Sequence, residues 1–84
     1  MTYSVRIKGS AAKELTGIAK PARARIAEAI DGLAENPFKG IALKGELTGL
    51  RRIRVGDYQI VYEIQEEDLV VLVIRVRHRR DVYR

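Results

Sequence analysis

The sequence contains no cysteine and no tryptophan, a single histidine and only two prolines among its 84 residues. Without cysteine, disulfide staples and thiolate metal sites are excluded. One histidine cannot build an imidazole cluster, and the acidic residues near it are too few to complete one. Neither a metal nor a cofactor is therefore expected. No apolar run approaches the roughly 20 residues of a membrane-spanning helix, and the opening MTYSVRIKGS lacks a signal-peptide core. The expected location is a reducing cytoplasm, with no membrane partner. Internal repeats, low-complexity tracts and linkers are also missing.

What is present is a small core and an excess of arginine. Hydrophobic residues make up 46% of the chain, enough for a folded globule, and the length fits one domain over residues 1–84. A domain of this size buries only about 60% of its unfolded surface, so a binding partner would add materially to its stability. The formal net charge is +5, and eleven of the sixteen cations are arginine. Lysine suffices for solubility, whereas arginine offers a planar fork of donors matched to phosphate and carboxylate. The arginines also cluster, which focuses their field and favours a polyanionic partner over simple surface charge.

The pattern along the chain is that of a layered α+β domain. Residues 3–7, YSVRI, alternate as a first strand. Ser10 is placed to cap a short helix through AAKELTGIAK, weakened at Gly17. Pro21 opens a second helix, PARARIAEAIDGLAEN, in which Ile26, Ile30 and Leu33 keep a helical spacing until Asn36-Pro37 ends it. A glycine-rich connection over 38–49 leads to three strands: LRRIRV (50–55), YQIVYEI (58–64) and LVVLVIRVR (69–77). The order β-α-α-β-β-β predicts a helical hairpin packed on one face of a small, mainly antiparallel sheet.

Gly56-Asp57 forms a tight two-residue hairpin turn, which fixes register. Val55 then faces Tyr58, Arg54 faces Gln59, Ile53 faces Ile60 and Arg52 faces Val61. Alternation sends Ile53, Val55, Tyr58, Ile60, Tyr62 and Ile64 to the helices, with Arg52, Arg54, Gln59 and Glu63 on the open face. In the last strand, Val70, Leu72, Ile74 and Val76 are expected on the core side and Val71, Val73, Arg75 and Arg77 outside. Arg51 falls on the nominal core face and is expected to escape at the strand end. Two arginine sets distant in sequence thus meet on one sheet face. The plain alternative is that their long stems cover Val61, Val71 and Val73 and merely solubilise the sheet.

The chain closes with HRRDVYR, so that Arg75, Arg77, Arg79, Arg80 and Arg84 lie within ten residues, with His78 and Tyr83 among them. This tail reads as a solvated terminus, a docking patch for an acidic partner or part of a phosphodiester site. The runs LKGELTGLRRIRVGDYQIVYEI and VLVIRVRHRRDVYR, taken together at this spacing, resemble the RelE/ParE superfamily of bacterial and archaeal toxins, and most of all its RelE branch. The resemblance covers essentially the whole chain. It implies a RelE-like fold and a toxin of a type II toxin–antitoxin system that cleaves mRNA on the ribosome and so inhibits translation.

By position, the resemblance implies site roles for Arg52 and Arg54 before the hairpin, Arg79 after the last strand and Tyr83 near the C-terminus. The family arginine after the tyrosine of the G-D-Y turn is Gln59 here, a departure that removes a charge; Arg75 or Arg77 could replace it if their side chains reach. Arg51, Arg75, Arg77, Arg80 and Arg84 are RNA-binding candidates. Implied partners are a RelB-like antitoxin, the ribosome with its mRNA, and operator DNA reached through the antitoxin.

The residue types suit that chemistry on their own terms. Cleavage without a metal needs the adjacent 2′-OH to attack its phosphate in line, with a base, an acid and cations to stabilise the phosphorane. Arg52, Arg54 and Arg79 are suited to clamp the phosphate, and Tyr83 to stack on a base, although a terminal aromatic can equally pack back on its domain. Histidine is a residue type suited to proton transfer, but alternation puts His78 on the core side, so a structural role stands beside a catalytic one. Two other functions share the pattern: a ParE-like inhibitor that binds DNA gyrase, and a degenerate member retaining only complex formation.

Overall fold

In the two helices, apolar side chains recur every three to four residues, which gives each helix one stripe that must be covered. Ala11 in the first and Ile26 and Ile30 in the second supply those stripes, Ile18 in the connection after the first and Leu33 at the C-cap of the second extend them, and all five are buried. The computed structural model describes residues 2–82 of the chain. Its elements are β1 (Ser4–Ile7), α1 (Gly9–Thr16), α2 (Lys20–Gly32), β2 (Ile41–Ala42), β3 (Leu50–Val55), β4 (Tyr58–Gln65), β5 (Val70–His78) and α3 (Arg79–Val82), with 3₁₀ turns at Pro37–Lys39 and Gly45–Leu47. The expected β-α-α-β-β-β order is observed, and the connection contributes the additional two-residue β2.

The five strands form one sheet in the order β1-β5-β4-β3-β2. β1 runs parallel to β5, and every other pairing is antiparallel. The helical stripes pack on Ile60, Tyr62, Val71, Val73 and Val76 to make the core. Complete burial of an aliphatic side chain of this size stabilises a fold by about 1.5–3 kcal/mol, so a few such residues decide the stability of so small a domain.

Helix boundaries differ from expectation in three places. α1 ends at Thr16 rather than Lys20, with Gly17 as its C-cap. α1 starts at Gly9 with Lys8 as its N-cap, so Ser10 lies inside the helix and makes no cap. α2 ends at Gly32 rather than Asn36, where glycine's poor helix propensity meets a set of tighter turns over 33–36.

The larger correction concerns β5. Val71 and Val73, expected outside, are fully buried, whereas Leu72 and Ile74, expected in the core, are half-buried. The cause is a β-bulge. Arg75 pairs with Val61, but the next β4 residue, Tyr62, pairs with Val73, leaving Ile74 as the extra residue. One inserted residue resets alternation, so Val71, Leu72 and Val73 are inverted while Val76, Arg75 and Arg77 keep the expected sides; Val70, expected in the core, is buried. Only Val61 of the three valines expected beneath the arginines therefore belongs to the outer face.

Candidate functional site

The β3–β4 hairpin has the expected register throughout, from Val55 opposite Tyr58 to Arg52 opposite Val61. Gly56 carries the turn at φ +58°, a left-handed conformation that glycine takes without steric cost. Arg52 and Arg54 consequently project from the outer face beside Gln59. Arg52 Nη1 donates to Gln59 Oε1 at 3.1 Å. A guanidinium can only donate, so this bond fixes the amide orientation and directs Gln59 Nε2, a donor, elsewhere.

The end of β5 is tied back to the same hairpin. The Arg79 backbone N–H donates to Asp57 O at 2.7 Å, and Arg79 Nε lies 3.8 Å from Asp57 Oδ1. Both side chains of this ion pair are largely exposed, so its energy is small and it orients the guanidinium more than it stabilises the fold. Arg54, Gln59 and Arg79 line one small cavity at the turn. Arg52 joins them through its bond to Gln59, so residues from the hairpin and the chain's final stretch share one patch.

The remaining candidates divide. Arg75 is exposed and faces Val61 on the outer side. Arg77 stands opposite Gln59, but its Nε turns to Glu14 Oε2 at 3.3 Å. Glu14 also accepts the Val76 backbone N–H at 2.9 Å. β1 pairs with β5 only through Val73, so Glu14 covers a strand edge left open beyond that point. Nothing in the local sequence marks this residue, because its partners lie 62 and 63 positions away.

Arg51 is not part of the patch. It lies on the helix-facing side, donating to Phe38 O and Gly40 O with its guanidinium 5.4 Å from the Phe38 ring centre. His78 is likewise on the helix-facing side, edge-on to Tyr58 with ring centres 5.2 Å apart, and its Nδ1 accepts the Arg80 backbone N–H. Arg80 is exposed on α3. Tyr83 and Arg84 lie outside the described residues. Among the described residues no three His, Asp or Glu side chains gather as metal ligands would, and no helix is long and apolar enough to cross a membrane.

Comparison with known proteins supplies the family. Residues 5–83 match the model for the ParE toxin of the type II toxin–antitoxin system parDE. The chain belongs to this RelE/ParE family. Toxin RelG of Mycobacterium tuberculosis is 35% identical to it over 86 residues, covering 100% of this chain and 99% of the relative. The toxin–antitoxin complex RelBE2 from the same organism contains a chain that superposes with a TM-score of 0.88 at 31% identity, covering 93% of this chain and 92% of that one. An archaeal RelE–RelB complex from Pyrococcus horikoshii gives a TM-score of 0.81 at 32% identity, with coverages of 94% and 97%. The two-helix layer and the five-stranded sheet are thus this family's architecture, and the outer-face arginines stand on it.

Proposed function

We propose that this family member is a ribosome-dependent mRNA endoribonuclease that inhibits translation in the cytoplasm, cleaving by attack of a ribose 2′-OH on its own phosphate without a metal. The observation that carries the reading is the shared patch of Arg52, Arg54, Gln59 and Arg79. In the reaction the 2′-oxygen bonds to phosphorus as its proton passes to a base, the bond to the 5′-oxygen breaks, and that oxygen takes a proton. Arg54 and Arg79 neutralise the phosphorane oxygens, while Arg52 holds the Gln59 amide so that Nε2 can donate to one of them. A neutral amide stabilises this charge less than a guanidinium would. Tyr83 is assigned to base stacking, and His78 and Arg80 to the margin of the site. Arg75, Arg77 and Arg84 extend the cationic surface toward ribosomal RNA, whose phosphates dominate binding.

A RelB-like antitoxin is the proposed cognate partner, with operator DNA contacted through it. The antitoxins in the RelBE2 and Pyrococcus complexes support that assignment. Inducing the chain alone and mapping RNA 5′ ends tests the function. Growth arrest with cuts in ribosome-engaged transcripts is expected, and arrest without cuts would overturn it. A second reading, inhibition of DNA gyrase by binding, is favoured by the ParE family model and by the uncharged Gln59; loss of supercoiling in place of RNA cuts would select it. Harmless expression without antitoxin would select a degenerate member instead.

A further inference from the structure

A groove adjoins the arginine patch on the outer face. Leu47, Leu50, Val61 and Ile74 form its aliphatic floor, and Gln59, Arg75 and Arg77 stand on its rim, enclosing about 360 Å³. The bulge creates it by adding Ile74 beside Arg75 on a face where strict alternation would have put only one of the two. Leu47, from the 3₁₀ turn, remains 50% exposed at its edge. Gln59 borders both this groove and the cavity shared by Arg54 and Arg79. On β4, Gln59 and Val61 are same-face neighbours about 6.7 Å apart along the strand, a spacing on the scale of a single nucleotide.

We propose that the groove is a nucleobase subsite, seating the base next to the phosphodiester held at Arg54, Gln59 and Arg79. The inference rests on the endoribonuclease reading and deepens it. An apolar floor accepts the flat face of a base, and guanidinium planes stack on bases in single-stranded RNA. Among the described residues no acidic side chain lines the groove. Glu63, farther along the same face opposite Leu50, accepts a bond from Gln65 Nε2, so the acid lies at the end away from the phosphate. Directional hydrogen-bond donors on the rim come from Gln59, Arg75 and Arg77, and the aliphatic floor accepts the base by its flat face.

The test compares adenosine 3′-monophosphate, ribose 5-phosphate and inorganic phosphate by NMR on the full chain labelled both at its methyl groups and with nitrogen-15. Adenosine monophosphate is expected to shift the methyl signals of Leu47, Leu50, Val61 and Ile74, while the other two move only signals of the arginine patch. Leu47→Ser and Ile74→Ala should weaken the nucleotide about fivefold or more, the loss expected for a base contact, and leave ribose 5-phosphate unaffected. Unmoved methyls in the nucleotide titration overturn the subsite. So does a leucine-containing acidic peptide that shifts them when the nucleotide does not, which would make the groove a protein-docking surface. Methyl shifts with adenosine monophosphate in a chain that cuts no ribosome-bound RNA would defeat the nuclease reading alone. Cleavage without such shifts would defeat the subsite alone.

Discussion

The two faces of the sheet treat polar groups in opposite ways. On the helix-facing side, Tyr62 is fully buried, yet its hydroxyl donates to Pro37 O at 2.6 Å and accepts the Gly40 N–H at 3.0 Å. Arg51 at the margin of that side spends its Nη2 on the Phe38 and Gly40 carbonyls. On the outer side, Arg54 and Arg75 are exposed, and Arg52 donates to a single side chain. Most polar groups that fold the domain are satisfied within it, as burial requires, although Arg51 Nε is buried with no partner among the described residues. On the outer face Arg52 Nε is buried and unpaired in the same way, whereas the Arg54 and Arg75 side chains stand exposed, where a ligand would find them.

This contrast predicts that substitutions on the two faces separate activity from stability. Arg54→Ala and Arg79→Ala should each lower ribosome-dependent cleavage by about 10²–10³, the usual cost of removing one electrostatic donor. Their unfolding free energies in urea should stay within about 0.5 kcal/mol of the parent, because exposed side chains contribute little to folding. Cleavage yield on stalled ribosomes, set beside urea unfolding, checks both halves. A large stability loss in either variant would break the division between faces.

Gly40→Ala should do the reverse. An added Cβ would run into the Tyr62 hydroxyl and the Arg52 carbonyl group. A backbone carbonyl cannot swing aside, so an expected loss of about 3 kcal/mol follows from overpacking. Tyr62→Phe is gentler, leaving one buried carbonyl and one buried N–H without their hydroxyl partner for about 2 kcal/mol. Urea denaturation ranks the pair, and a Gly40→Ala chain as stable as the parent would show that the segment at Gly40 can shift away from β3 and the Tyr62 hydroxyl.

Legibility in the sequence follows the same physics. The hairpin register is readable because a two-residue loop leaves one pairing, and Arg52, Arg54 and Gln59 follow from it. β5 is not, because LVVLVI is apolar at every position and carries no period to mark its inner face. Both Ile74 and Arg75 suit a strand, so no glycine flags the bulge. The convergence of Arg79 with Arg54 was legible only through family resemblance, since its tether to Asp57 spans the whole of β4 and β5. Glu14 and the Pro37–Gly40–Tyr62 bonds had no local signal at all, being contacts between segments distant along the chain.

The smallest expected effect lies at the boundary between the faces, where Glu14 holds both a backbone N–H of β5 and the side chain of Arg77. Glu14→Ala should cost about 1 kcal/mol, because partial exposure lets water replace the lost acceptor. Its ion pair is more exposed still on the arginine side, at 39%, so Arg77→Ala should cost less than Glu14→Ala. Amide exchange at Val76 supplies the finer reading. Loss of the carboxylate should speed that one amide while leaving Ile60 and Tyr62 protected, since their partners lie within the sheet. Retained protection at Val76 in Glu14→Ala would mean that a group other than Glu14 covers that edge of β5.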